Sequence, residues 1–116
     1  MVVPDDTSKF DRVFSICIKD DIVSKEIIDN SVWSFLFWIL ERYPQYLDLL
    51  DETSITLFPE KCVIDWNNGN LYVSVEFNTD DIVAYIKTST ENFQIYHTVP
   101  LKVVDDVVYY IQQIGL

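Results

Sequence analysis

The stretch Val32-Trp33-Ser34-Phe35-Leu36-Phe37-Trp38-Ile39-Leu40 constrains this chain more than any other, because eight of its nine residues are apolar or aromatic. It follows Asp29-Asn30-Ser31, residue types that cap helix N-termini, and it runs toward Pro44, which cannot continue a helix. A helix from about Ser31 to Tyr43 is expected. At 100° per residue, Val32, Phe35, Leu36, Ile39, Leu40 and Tyr43 fall together, and Trp33 and Phe37 widen the stripe to roughly 200°. Ser34, Glu41, Arg42 and, against the pattern, Trp38 lie opposite. A stripe this wide needs more than one surface to cover it.

The flanking sequence supplies those surfaces. Asp5-Asp6-Thr7 is cap-like and opens a first helix whose buried face is Phe10, Val13, Phe14 and Cys17. Ile22 to Ile28 reads equally as a short helix or as an early turn of the central one. Tyr46-Leu47-Asp48-Leu49-Leu50 suits a single helical turn, and Asp51-Glu52-Thr53-Ser54 a loop. From Ile55 the period changes from helical to alternating. Cys62, Ile64 and Trp66 share one side of a strand that ends at Asn67-Asn68-Gly69-Asn70, residue types that accept positive φ in a hairpin. Leu71, Val73, Val75 and Phe77 then alternate with Tyr72, Ser74 and Glu76, and Ile82, Ala84 and Ile86 with Val83, Tyr85 and Lys87. Turns at Asn78–Asp81 and Thr90–Asn92 lead into Phe93, Ile95 and His97. The expectation is a four-stranded antiparallel meander with one apolar face that helices must cover. A last helix is expected from about Lys102 to Ile114, with Val103, Val104, Val107, Val108, Ile111 and Ile114 inward, Asp105 and Asp106 in its first turns, and Gly115 at its end. The fold class is α+β. At this length residues 1–116 read as a single domain, with a helical part at about 5–50, the meander at about 60–98 and the last helix at about 102–114.

The run Trp66-Asn67-Asn68-Gly69-Asn70-Leu71-Tyr72-Val73, then Tyr85, then Pro100-Leu101 before a terminal helix, resembles a module of small uncharacterised bacterial and phage proteins. The similarity covers roughly residues 59–116. It implies the meander and brings no catalytic residue with it.

Composition narrows the function classes. Net charge is −11, from 19 acids and 8 bases, and the excess is spread as −6 up to Phe58 and −5 from Pro59 on. Phosphate backbones and anionic membranes need clustered Lys and Arg, so direct nucleic-acid binding and membrane binding are disfavoured. A basic protein partner is favoured, with salt-sensitive association. Cys17 and Cys62 sit among apolar neighbours without a C-x-x-C pair and read as buried free thiols. The N-terminus Met-Val-Val-Pro-Asp-Asp lacks a signal-peptide pattern, which points to the cytoplasm.

Catalytic signatures are weak. His97 is the one histidine and falls at a strand end on the core side, where a structural role is expected. The acidic pairs Asp5-Asp6, Asp20-Asp21, Asp51-Glu52, Asp80-Asp81 and Asp105-Asp106 suit caps and turns, because adjacent residues diverge and cannot both ligate one cation. With two glycines there is no phosphate loop. No cofactor, metal or enzymatic activity is expected. The aromatics say more: Trp38 and Tyr109 fall on polar helix faces, and Tyr72, Tyr85 and Tyr96 on the non-core face of the sheet with Asp65 and Glu76. The expected partner-binding residues are therefore Trp38, Asp65, Tyr72, Glu76, Tyr85, Tyr96, Asp105 and Tyr109. They suit a non-enzymatic acidic protein docking on a basic partner, such as an inhibitor of a nucleic-acid enzyme whose carboxylates mimic phosphates. The alternative is a homo-oligomeric assembly module, with the same aromatics or the central helix as a homodimer seam.

Overall fold

The computed structural model describes residues 5–67, 69 and 71–113, and its architecture is α+β: helices on one face of a five-stranded antiparallel sheet. Helix α1 spans Asp5–Cys17. The central helix begins earlier than its cap-like residues suggest. Ser24 stands at the N-terminus, followed by α2 (Lys25–Ile27), a π-helical turn (Ile28–Val32) and α3 (Trp33–Arg42), with helical backbone at every junction. Asp29-Asn30-Ser31 is therefore inside the helix and not its cap, and the segment after Ile22 is its first turn. The π turn is closed by Trp33 N–H donating to the Ile28 carbonyl. The wider turn leaves Asp29 and Asn30 outside, while Ile27 and Ile28 before it and Val32, Phe35, Leu36 and Ile39 after it are all buried. Tyr43, at φ −143° and ψ 56°, leaves the helical region ahead of Pro44, whose ring disfavours helical backbone in the residue before it.

The strands are β1 (Ile55–Phe58), β2 (Lys61–Asn67), β3 (Tyr72–Phe77), β4 (Ile82–Lys87) and β5 (Asn92–His97), in the order β1-β2-β3-β4-β5. The expected meander is β2 to β5; β1 is the additional strand. Its four residues end at Pro59, too few for alternation to declare itself, and pairing with β2 through Ile55↔Ile64 to Phe58↔Lys61 makes it a strand. In the β2–β3 turn Gly69 has φ +92° and its N–H donates to Asn67 Oδ1 at 2.7 Å; Asn68 and Asn70 lie outside the described residues. Helix α4 spans Pro100–Gln113, and the expected end at Ile114 and Gly115 also lies outside them.

Register explains why the two halves share one core. Ile55, Ile64, Val75, Ala84 and Ile95 align across the sheet, flanked by the rows Leu57-Cys62-Phe77-Ile82-His97 and Trp66-Val73-Ile86-Phe93. Helix α3 reaches this face through Phe35, edge-on to Phe77 at 5.0 Å and 6.3 Å from Trp66. Cys17 of α1 reaches Cys62, and Tyr110 of α4 meets Phe93. The segment after α3 is clamped from both sides: Arg12 donates to the Leu47 and Leu50 carbonyls, and Trp66 Nε1 to that of Tyr46 at 3.2 Å. Among the described residues no helix is long and apolar enough to cross a membrane.

Phe35 is fully buried between the central helix and the sheet. Phe35→Ala should therefore lower unfolding stability by about 3–5 kcal/mol, read by urea denaturation. A loss well below that would mean the helix does not rest on the sheet through this ring.

Candidate functional site

Because side chains alternate along a strand, the same register that buries one face builds a second surface on the other. Its rows are Thr56-Val63-Glu76-Val83-Tyr96, Asp65-Ser74-Tyr85-Gln94 and Asn67-Tyr72-Lys87-Asn92. Phe35 of α3 and Tyr110 of α4 pack on the opposite face, against Trp66, Phe77 and Phe93. Ser74 and Val83, which belong to these rows, are only 4% exposed.

Five of the eight expected binding residues meet here. Tyr72 Oη donates to Asp65 Oδ2 at 3.2 Å and Tyr85 Oη to Glu76 Oε2 at 2.8 Å, each bridging neighbouring strands. Lys61 Nζ lies 2.8 Å from Glu76 Oε1. Tyr96, 65% exposed, donates to Gln94 Oε1 on its own strand. The two carboxylates differ electrostatically. Burial raises the Asp65 carboxyl, and the negative charge of Asp51 adds to this against the Tyr72 hydrogen bond. Burial also opposes ionisation of Glu76, but the Lys61 and Tyr85 hydrogen bonds and the lysine charge outweigh it and hold that carboxyl below its ordinary value. Accepting the Tyr85 proton in a hydrogen bond pushes the phenol up to about 12.

At the end of this face, where the β1–β2 and β3–β4 turns meet, lies an open cleft of about 920 Å³ lined by Phe58, Glu60, Lys61, Glu76, Asp80 and Asp81, among others. Four carboxylates stand there around one lysine, whose ammonium also lies 5.1 Å from the Phe58 ring centroid. Sequence reasoning missed Phe58, Glu60 and Lys61 because they belong to the β1 hairpin; the available signal was Pro59-Glu60 between two apolar runs.

The other three residues lie on the helical side. Trp38 is half-buried on α3 with the Arg42 guanidinium 5.3 Å over its ring, and Arg42 pairs with Asp105 of α4 at 3.0 Å. Tyr109, one turn beyond Asp105, is 59% exposed and meets Tyr110 edge-on. These three are not part of the sheet surface. Trp33, expected inside the apolar stripe, is 41% exposed, stacked on Phe37 at 5.0 Å and edge-on to Phe10 at 5.8 Å.

His97 sits on the core side, half-buried, with Nε2 2.7 Å from Asp106 Oδ2, an inter-element tie. Cys17 and Cys62 are free and fully buried, and the Cys62 thiol is pushed up by its hydrogen bond with Cys17 and by burial, away from the reactive thiolate. Asp51 caps the turn before β1 by accepting from Thr53, which lowers its carboxyl. Among the described residues no group of three or more His, Cys, Asp or Glu could hold a metal ion. Comparison with protein-family models, with curated proteins and with solved structures found no match for this chain.

The raised phenol sets an alkaline signature. Below pH 10 Tyr85 is protonated in folded and unfolded chains, and its contribution to stability is complete. From there to about 12 the unfolded chain releases the proton first, and that contribution is lost. A difference titration of phenolate absorbance between the protein and Tyr85→Phe should place this group near 12, and Glu76→Gln should return it toward 10. Titration at 10 in both backgrounds would show that the pair does not form.

Proposed function

We propose that this chain is a non-enzymatic acidic binding protein that docks on a basic partner protein through the outer face of its sheet. The observation that carries this reading is the convergence of Asp65, Tyr72, Glu76, Tyr85 and Tyr96 on the face opposite the one that Phe35 of α3 and Tyr110 of α4 pack on, opening at one end into the cleft with Glu60, Asp80 and Asp81. Tyrosines held by hydrogen bonds to neighbouring carboxylates present rigid rings at low entropic cost, and a net charge of −11 draws a cationic surface toward them. A Lys/Arg groove that normally holds nucleic acid is the surface this chemistry fits best: carboxylates replace phosphates and phenol rings replace stacked bases. The reading is therefore an inhibitor of a nucleic-acid enzyme, of the anti-defence, immunity or antitoxin kind.

The second reading, assembly through the wide central stripe, finds less support. Phe35, Leu36 and Ile39 are fully buried inside the chain, between the sheet and the helices α1 and α4 that pack on α3.

The immobilised chain should capture a basic protein at about 50 mM salt and release it at about 0.5 M, as screening of exposed charges requires. A double-stranded oligonucleotide should compete for that protein. Tyr96→Ala with Asp80→Asn should weaken capture about tenfold or more, while Trp38→Ala should not. Absence of capture at low salt, or capture indifferent to the sheet-face substitutions, would overturn the proposal.

A further inference from the structure

We propose that β5 is the seam of a homodimer, pairing antiparallel with β5 of a second copy so that the two sheets become continuous. This inference does not rest on the basic-partner reading.

The backbone phase comes from the β4–β5 turn, where Thr88 N–H donates to the Glu91 carbonyl at 2.8 Å. Alternation along the paired strands then turns the N–H and C=O groups of Phe93, Ile95 and His97 toward β4, opposite Ile86, Ala84 and Ile82. The same groups of Asn92, Gln94 and Tyr96 point outward. As the last strand in the order, β5 has no strand paired on that side among the described residues.

Open edges are normally guarded by Lys, Pro, inward charges or a bulge. Asn92-Phe93-Gln94-Ile95-Tyr96-His97 has no Lys, Pro or bulge, its one inward ionisable side chain, His97, is paired with Asp106, and all six residues pair in unbroken register with β4. The opposite edge, β1, is shorter and ends at Pro59.

Charge selects the occupant. In a chain at −11, β5 carries no Asp, Glu, Lys or Arg, and Asp106 beside it on α4 is held by His97 at 2.7 Å. A basic peptide strand would find no carboxylate on β5 to pair with. A second copy would meet a strand that itself carries no carboxylate, and so less of the repulsion that opposes contact over other acidic surfaces. With the two-fold axis at Ile95, Gln94 stands opposite the partner's Tyr96 and Phe93 opposite the partner's His97, so the outward backbone groups close in pairs. On the inner side, the partly exposed Phe93 and Tyr110 rings, 5.3 Å apart, give each copy an aromatic flank beside the seam.

Sedimentation equilibrium of the full chain at tens of micromolar should show a dimer. Gln94→Pro removes an outward donor without breaking a bond to β4, and Tyr96→Glu places a carboxylate on each strand at a solvent-facing position. Each should weaken association about tenfold or more while leaving the circular dichroism spectrum unchanged. Should Gln94→Pro perturb folding, Tyr96→Glu decides, because residue 96 is 65% exposed. Oxidised Ile95→Cys should form a covalent dimer across the axis. A monomer at tens of micromolar, or a dimer that Tyr96→Glu leaves as tight, overturns the proposal.

Discussion

The contact on which the structure depends is the seating of Phe35 against Phe77 and Trp66. A sheet with one apolar face and a helix with a wide apolar stripe are each unstable alone in water, and each is the other's cover. At roughly 25 cal/mol per Å² of apolar surface, burying such faces is the dominant favourable contribution. The π-helical turn at Ile28–Val32 belongs to the same requirement, because it keeps apolar residues on both sides of it in one core. Arg12 and Trp66 then tie the segment between helix and sheet from opposite directions.

Once the inner face is committed to the core, the outer face follows from strand alternation. Tyr72, Tyr85 and Glu76 face outward because Val73, Val75, Phe77, Ile82, Ala84 and Ile86 face inward. The proposed docking surface is thus the complement of the core, and a one-residue slip in register would bury the carboxylates. The Lys61–Glu76–Tyr85 chain spans β2, β3 and β4 and locks the polar side chains in place.

Much of the fold was legible in the residues. Alternation from Lys61 to His97 marked four strands, and the stripes of Phe10–Cys17 and Val103–Ile111 marked two helices. Three features were not legible, each for a physical reason. Strand β1 is too short to show a period and exists through its pairing with β2. The cap-like Asp29-Asn30-Ser31 is overridden because the π turn takes all three into the helix, with Asp29 and Asn30 exposed and Ser31 half-buried. Trp33, on the edge of a roughly 200° stripe, is left 41% exposed, with Phe10 of α1 meeting its ring edge-on and Phe37 stacked on it.

What the sequence determined by itself is the pairing of one apolar face per element with an acidic exterior, since period and charge are local properties of the chain. It also placed Asp65, Tyr72, Glu76, Tyr85 and Tyr96 on the same side of the sheet, because that requires only alternation and turn positions. Tertiary structure alone decided the rest. Trp38, Asp105 and Tyr109 are separated from that surface by the thickness of a helix layer and a sheet. Glu60, Asp80 and Asp81 gather at one end because the β1–β2 and β3–β4 turns lie side by side. Such proximities depend on which strands neighbour each other, and no residue carries that information alone.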